Sequence, residues 1–185
     1  MALTATMHHF QITLSDVDRG VYEALDLRVA RHPSETLRYL VTRTLAYCLC
    51  YEEGIAFSKG GLSSAEEAPV SVRDATGVLR AWIDVGSPSA DRLHKASKAA
   101  ERVALFTHTE LALLLREASA RPIHRVERIE VFRFEAAFLD ALGARLEKEK
   151  NSKFELVRTD GQLYVTFDNE PLHGTISACS LVETE

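Results

Sequence analysis

Trp82 to Glu101 constrains this chain more than any other stretch: WIDVG, a short break at SPS, then ADRLHKASKAAE. An apolar strand carries one carboxylate, Asp84, near its end, and a helix bearing lysines begins only a few residues later. The unit is strand, turn, helix, with opposite charges at the junction. Pro88 keeps the strand from running on, and the Ser89 hydroxyl can accept from the free amides of the first helical turn, so the helix starts near Ala90. Leu93, Ala96, Ala100 and Val103 recur at helical spacing and form its buried stripe. At about 100° of rotation per residue, Lys98 falls opposite that stripe and faces water. Lys95 falls at the stripe's edge, about five residues or roughly 7 Å into the helix, with a side chain that leans back toward the N-terminus and Asp84. Two readings follow. Asp84 ends a strand and Lys95 is a solvated helix lysine, or Asp84 is a metal-binding carboxylate with a phosphate-facing lysine, which needs more acids nearby.

With 185 residues, 46% hydrophobic and 26% charged, the chain suits one globular domain with a sizeable core. Its formal charge of −5 and pI near 5.8 leave any DNA or RNA partner to be met by a local basic patch. Three cysteines, Cys48, Cys50 and Cys179, lack the paired spacing of a disulfide scaffold, and a reducing compartment fits them best. Cys48 and Cys50 lie in an apolar helical segment, about 200° apart around it, which favours core packing over zinc. The N-terminal MALTATMHHFQ has no apolar signal core, and no run approaches the roughly 20 apolar residues of a membrane span. A soluble, cytoplasmic protein is expected.

Along the chain, residues 8–14 and 24–30 alternate through Phe10, Ile12, Leu14 and Leu25, Leu27, Val29, as an antiparallel pair would. His8 and His9 then point to opposite faces, which argues against joint metal ligation. Pro33 and Ser34 open a helix with Leu37, Leu40, Val41, Leu45 and Cys48 on one side. Glu35 sits in its opening turn, where the helix dipole already favours a carboxylate, and Arg43 lies eight positions on. GIAFSKG is a short strand, and GLSSAEEAP is a polar loop carrying Glu66 and Glu67. PVSVR and VLRAWIDVG are two strands about the DATG turn. VALFTH is a strand and ELALLLREA a helix. RPIHRVERIEVFRF continues from its proline as a charged, alternating strand, whose arginines alternate with Glu127, Glu130 and Glu135 as in a salt-bridged surface. FEAAFLDALGARLEKEK is an amphipathic helix, KFELVRTDGQLYVTFD a hairpin about its D-G pair, and the last residues close an edge strand. No phosphate-binding glycine loop or nucleophile elbow is present, and Trp82 reads as core.

The middle of the chain therefore runs helix, three strands, helix, strand, with an acid at the first helix and another at the end of the third strand. ARHPSET, the acidic segment ending in Pro69, AWIDVGSP and RLHKA together resemble the YaeQ family along nearly the whole chain. The resemblance implies an α+β (mixed α/β) fold with a restriction-endonuclease-like PD-(D/E)XK core, a central mixed sheet flanked by helices. One YaeQ-like domain would span residues 1–185, with the nuclease-like core at about 34–107. In that superfamily a hairpin acid and the acid of the motif hold Mg²⁺, a lysine positions or activates water, and a first-helix glutamate assists. Asp84 matches the motif acid and Glu35 the helix glutamate. Gly86 stands where the lysine usually does, which makes Lys95 the candidate for a relocated one. Val70 follows Pro69 where relatives carry an acid, so Glu67 or Glu66 would have to supply that ligand, at about 2.1 Å from Mg²⁺. Asp74 belongs to the turn. The implied function is a divergent nuclease or phosphodiesterase, with Mg²⁺ or Mn²⁺ on Asp84, Glu67 and Glu35, and Lys95 stabilising phosphorane charge. The alternative is a catalytically inactive nuclease-fold module that binds nucleic acid or protein, with a role in transcription.

Overall fold

The computed structural model describes residues 4–59 and 66–182. In chain order the elements are β1 (Thr6–Asp16), β2 (Val21–Arg31), α1 (Leu37–Leu49), β3 (Ile55–Phe57), β4 (Val70–Arg73) and β5 (Leu79–Val85). Then come α2 (Ala90–Ala99), β6 (Arg102–Thr107), α3 (Leu111–Ser119), β7 (Glu130–Phe134) and α4 (Ala136–Lys148). The last three strands are β8 (Asn151–Thr159), β9 (Gln162–Phe167) and β10 (Glu170–Cys179). The chain divides into two compact units, one running up to Leu49 and resuming over Phe134–Ile176, the other comprising Cys50–Arg133 and the residues from Ser177 on. Of the expected 34–107 core, α1 thus belongs to the first unit and the strands and helix after it to the second.

In the first unit the strands run in the order β2-β1-β8-β9-β10, with β1 and β8 parallel and the other pairs antiparallel. Strict alternation puts Phe10, Ile12 and Leu14 of β1 and Leu25, Leu27 and Val29 of β2 on one buried face, with Phe10 opposite Leu27. His8 shares that face and is buried, whereas His9 turns outward to Asp26. The β8–β9 hairpin closes on Asp160 and Gly161, both at positive φ, as a two-residue type I′ turn requires. A second such turn at Asp168 and Asn169 leads into β10. Helices α1 and α4 pack on each other, and Leu40 and Val41 of α1 and Leu139 and Leu142 of α4 are buried. Gly143 of α4 faces Leu37 and Val41 of α1, where a Cβ would meet that of Leu37 at 3.4 Å, an ordinary van der Waals distance.

The second unit is a mixed sheet in the order β7-β6-β5-β4-β3. Its first three strands form an antiparallel meander, and β5, β6 and β7 run parallel through crossovers by α2 and α3. Trp82 and Leu105 pack with Leu93, Ala96 and Ala100 in one cluster. Ile83, Ala104 and Phe106 are equally buried on the alternate positions. A sheet buried on both faces explains why AWIDV and VALFT read as continuous apolar runs. The α2 N-terminus is capped as its sequence requires, the Ser89 hydroxyl accepting from the Arg92 amide at 3.2 Å.

Three elements differ from expectation. Helix α1 begins at Leu37, not at Pro33, because His32 to Glu35 make a turn of their own (Glu35 N–H to His32 O, 2.9 Å) and the Thr36 hydroxyl caps the helix through the Tyr39 amide. Glu35 therefore stands ahead of the helix. Helix α2 ends at Ala99, so Ala100 is its cap and Val103 already lies in β6, although both are buried. The charged strand begins only at Glu130. Ile123, Val126 and Ile129 recur every third residue, and the chain coils there into a short 3₁₀ turn (Val126–Arg128) entered through Arg125 at φ 48°.

Candidate functional site

Asp84 is 2% exposed at the end of β5. Its Oδ1 accepts from the Val85 amide at 3.0 Å, and its Oδ2 accepts from Trp82 Nε1 at 3.0 Å and from Arg92 Nε at 2.7 Å. Each partner follows from local sequence. Trp82 lies two residues back on a strand and so shares Asp84's face, while Arg92 lies in the first turn of the helix that Ser89 starts. The guanidinium sits 5.4 Å from the Trp82 ring centroid and donates from a further nitrogen to the Glu67 carbonyl at 3.0 Å. One arginine thereby joins strand, helix and the segment before β4. A charge-assisted bond of this length on a buried carboxylate is the strong kind.

Lys95, one turn on, is ion-paired with the Glu66 carboxylate, which it holds below the usual glutamate range. Lys98 is exposed, as the rotation argument expects. The Glu67 carboxylate is also exposed, and its carbonyl rather than its side chain meets Arg92. Gly60 of the expected GIAFSKG strand and residues 61–65 of the expected polar loop lie outside the described residues. Val70 pairs directly with Ile83, so its side chain occupies the face opposite to Trp82 and Asp84. Asp74 is consumed by its turn, where the Thr76 hydroxyl and the Val78 and Thr76 amides bring its carboxyl down to about 2.

Glu35 belongs to the first unit, and its partners do too. Its two oxygens accept from Arg43 Nε and a terminal Arg43 nitrogen, both at 3.1 Å, and one also from the His32 amide at 3.1 Å. Burial pushes this carboxyl up against the pull of Arg43 and His32. Cys48 and Cys50 are buried and not joined in a disulfide, and burial pushes the Cys48 thiol up to about 12.

For Mg²⁺ or Mn²⁺ the question is which donors remain. Both Asp84 oxygens are engaged, Glu66 is engaged by Lys95, and Glu35 is closed by Arg43. Among the described residues no three His, Cys, Asp or Glu are grouped to hold a metal ion. With Asp84, Glu35 and Glu66 each bonded to a cationic side chain, and Glu67 the exposed acid beside them, the residues as disposed do not present the grouped, uncommitted carboxylates these cations take and do not fit such a centre. Arg121 pairs with Asp91, Arg102 with Glu130 and Arg133 with Glu110, and residues 50–133 hold twelve Lys and Arg against twelve Asp and Glu. Among the described residues no helix is long and apolar enough to cross a membrane.

Sequence reading missed Arg92 and the Trp82 indole. The signal was present: a residue three past the N-cap, on a side chain tilted toward the helix start, stands closer to the strand end than Lys95 does.

Fold and site together define a mixed α+β protein whose candidate acid is locked in a strand-turn-helix junction. The profile described as YaeQ protein matches residues 1–176, and the chain belongs to the YaeQ family. The uncharacterized protein YaeQ of Escherichia coli (strain K12) is 35% identical over 112 residues, a match covering 60% of this chain and 61% of that relative's length. The crystal structure of YaeQ protein from Pseudomonas syringae is similar at a TM-score of 0.84 and 28% identity, over 95% of this chain and 96% of that one. That of YaeQ protein from Xanthomonas axonopodis pv. citri is similar at 0.85 and 28%, over 96% and 99%.

Proposed function

We propose that this chain is a divergent member of the restriction-endonuclease-like group that has exchanged cleavage for binding, and that its ligand is a protein. The order β3-β4-β5-α2-β6, an antiparallel meander followed by a parallel crossover, supports the scaffold assignment. The observation that carries the loss of hydrolysis is the Arg92 guanidinium 2.7 Å from the Asp84 carboxylate. An acid so held is a structural clamp, and the permanent cation beside it takes the position a divalent ion would need. The opposite face of Val70 adds to this, since an acid restored there would not lie beside Asp84. Balanced charge over residues 50–133, with Arg102, Arg121 and Arg133 each paired to an acid, favours a protein ligand over nucleic acid.

The test is cleavage and binding of labelled single-stranded and duplex DNA and RNA, in Mg²⁺ and in Mn²⁺, by the wild type and by Asp84→Asn. The expected result is no turnover above that of Asp84→Asn and no salt-sensitive binding. Cleavage by the wild type that Asp84→Asn abolishes would restore the hydrolytic reading, with Lys95→Ala then deciding the role of Lys95. Salt-sensitive binding without cleavage would replace the protein ligand by nucleic acid.

A further inference from the structure

The first unit ends its sheet on an unusually complete strand. β2 pairs with β1 in uninterrupted register over eleven residues, from Thr6 opposite Arg31 to Asp16 opposite Val21. Among the described residues β1 is its only strand neighbour. The direction of its free peptide groups follows from β1. The His9 amide donates to Lys150 and the Val17 amide to Arg158, both on the β8 side. Peptide groups alternate along a strand, so the even-numbered residues of β1 address β2, and their partners there are Leu25, Leu27 and Val29. The peptide groups of Tyr22, Ala24, Asp26, Arg28 and Ala30 therefore point out of the sheet. The Ala30 carbonyl agrees, since it accepts from Arg43 at 2.9 Å.

Exposed strand edges are ordinarily blunted by proline, a bulge or charged side chains, and of these Val21–Arg31 has only the last. What it carries is an ordered set of charges: Glu23, Asp26, Arg28 and Arg31. We propose that β2 is the docking edge for a second copy of this chain, paired antiparallel about a twofold axis at Leu27. In that register Asp26 of each copy stands opposite Arg28 of the other, and Glu23 opposite Arg31. The outward peptide groups of Asp26 and Arg28 meet as hydrogen-bonded pairs, and Leu25 faces Val29 on the buried side. Neighbouring registers are worse. An axis at Asp26 sets that aspartate against itself, and an axis at Arg28 does the same for the arginine; like charges directly opposite are destabilising. The edge and the charges thus select one self-complementary pairing, as an isologous contact demands. This inference is independent of Asp84 and of the binding reading above.

Sedimentation velocity of the full chain, over a dilution series from micromolar to submillimolar, should show a reversible monomer–dimer equilibrium that weakens with salt. Asp26→Arg places two arginines against two, and Arg28→Asp two aspartates against two, so each alone should weaken self-association by roughly tenfold or more. A mixture of the two variants restores both pairs and should associate where neither does alone. The doubly exchanged Asp26→Arg/Arg28→Asp chain should recover the wild-type equilibrium. Circular dichroism of each variant excludes loss of fold, and recovery in the mixture does so independently. A wild type monomeric at every concentration would overturn the proposal and leave the edge to a foreign strand, as would a dimer indifferent to all four combinations.

Discussion

Each unit contains a buried acid held by an arginine eight residues later, Glu35 with Arg43 and Asp84 with Arg92, yet the two pairs differ in what surrounds them. Both side chains of the first pair are sealed, at 1% and 5% exposure. In the second the acid is sealed at 2% while the arginine is 21% exposed and rests on the Trp82 ring. Losing one partner leaves an uncompensated charge in the first case. In the second, water can reach the arginine, and Trp82 and the Val85 amide still serve the acid. The same spacing yields an internal tie in one unit and a clamp with a solvent-facing side in the other, so burial of both partners, not spacing, decides what such a pair does.

The largest way to break this comparison is Arg43→Met, expected to cost about 3–5 kcal/mol in urea unfolding, with most of the loss recovered when Glu35→Leu is added. Arg92→Met should cost less, about 1–3 kcal/mol, because hydrogen bonds remain on Asp84. An equal or larger loss would show the second pair to be as sealed as the first.

A third experiment sharpens the contrast through pH. Burial, with Arg31 and Lys150 nearby, lowers the His8 pKa from its ordinary 6.5, and among the described residues neither ring nitrogen has a hydrogen-bond partner. The unfolded chain then takes up a proton that the folded one refuses. Stability from this group is full above the unfolded value and is lost as pH falls below it. Between about pH 7.5 and about pH 5.5 the wild type should lose about 1 kcal/mol relative to His8→Phe, read as the difference between their unfolding curves. The smallest effect belongs to Lys95→Ala, whose exposed pair with Glu66 should leave the melting temperature unchanged.

Much of the local structure was legible because its causes are local. Alternation placed β1 and β2 and set His8 and His9 on opposite faces, Ser89 placed the start of α2, and the D-G pair placed the β8–β9 turn. The D-N turn before β10 went unread, although its residues tolerate positive φ as Gly does at Gly161. The 3₁₀ turn at Val126–Arg128 was hidden by alternating charges, which suit a strand equally well until Ile123, Val126 and Ile129 are seen to need one buried side. At the site, Asp84 and the rotation of Lys95 and Lys98 could be placed on their elements, but the partner of each charge could not. Arg92, Lys95 and Lys98 all follow Asp84 within one short helix, and a choice among them turns on a few ångströms.

Sequence alone determined the elements, their caps and faces and membership of the YaeQ family, because propensity, periodicity and capping act over a few neighbouring residues. Only tertiary structure decided that Glu35 is closed by Arg43, that Asp84 is claimed by Arg92 and Trp82, and that Val70 turns to the other face of its sheet. Those outcomes depend on register and on which long side chain reaches a buried carboxylate first. The free energies involved arise from desolvation, which exists only once the core has formed.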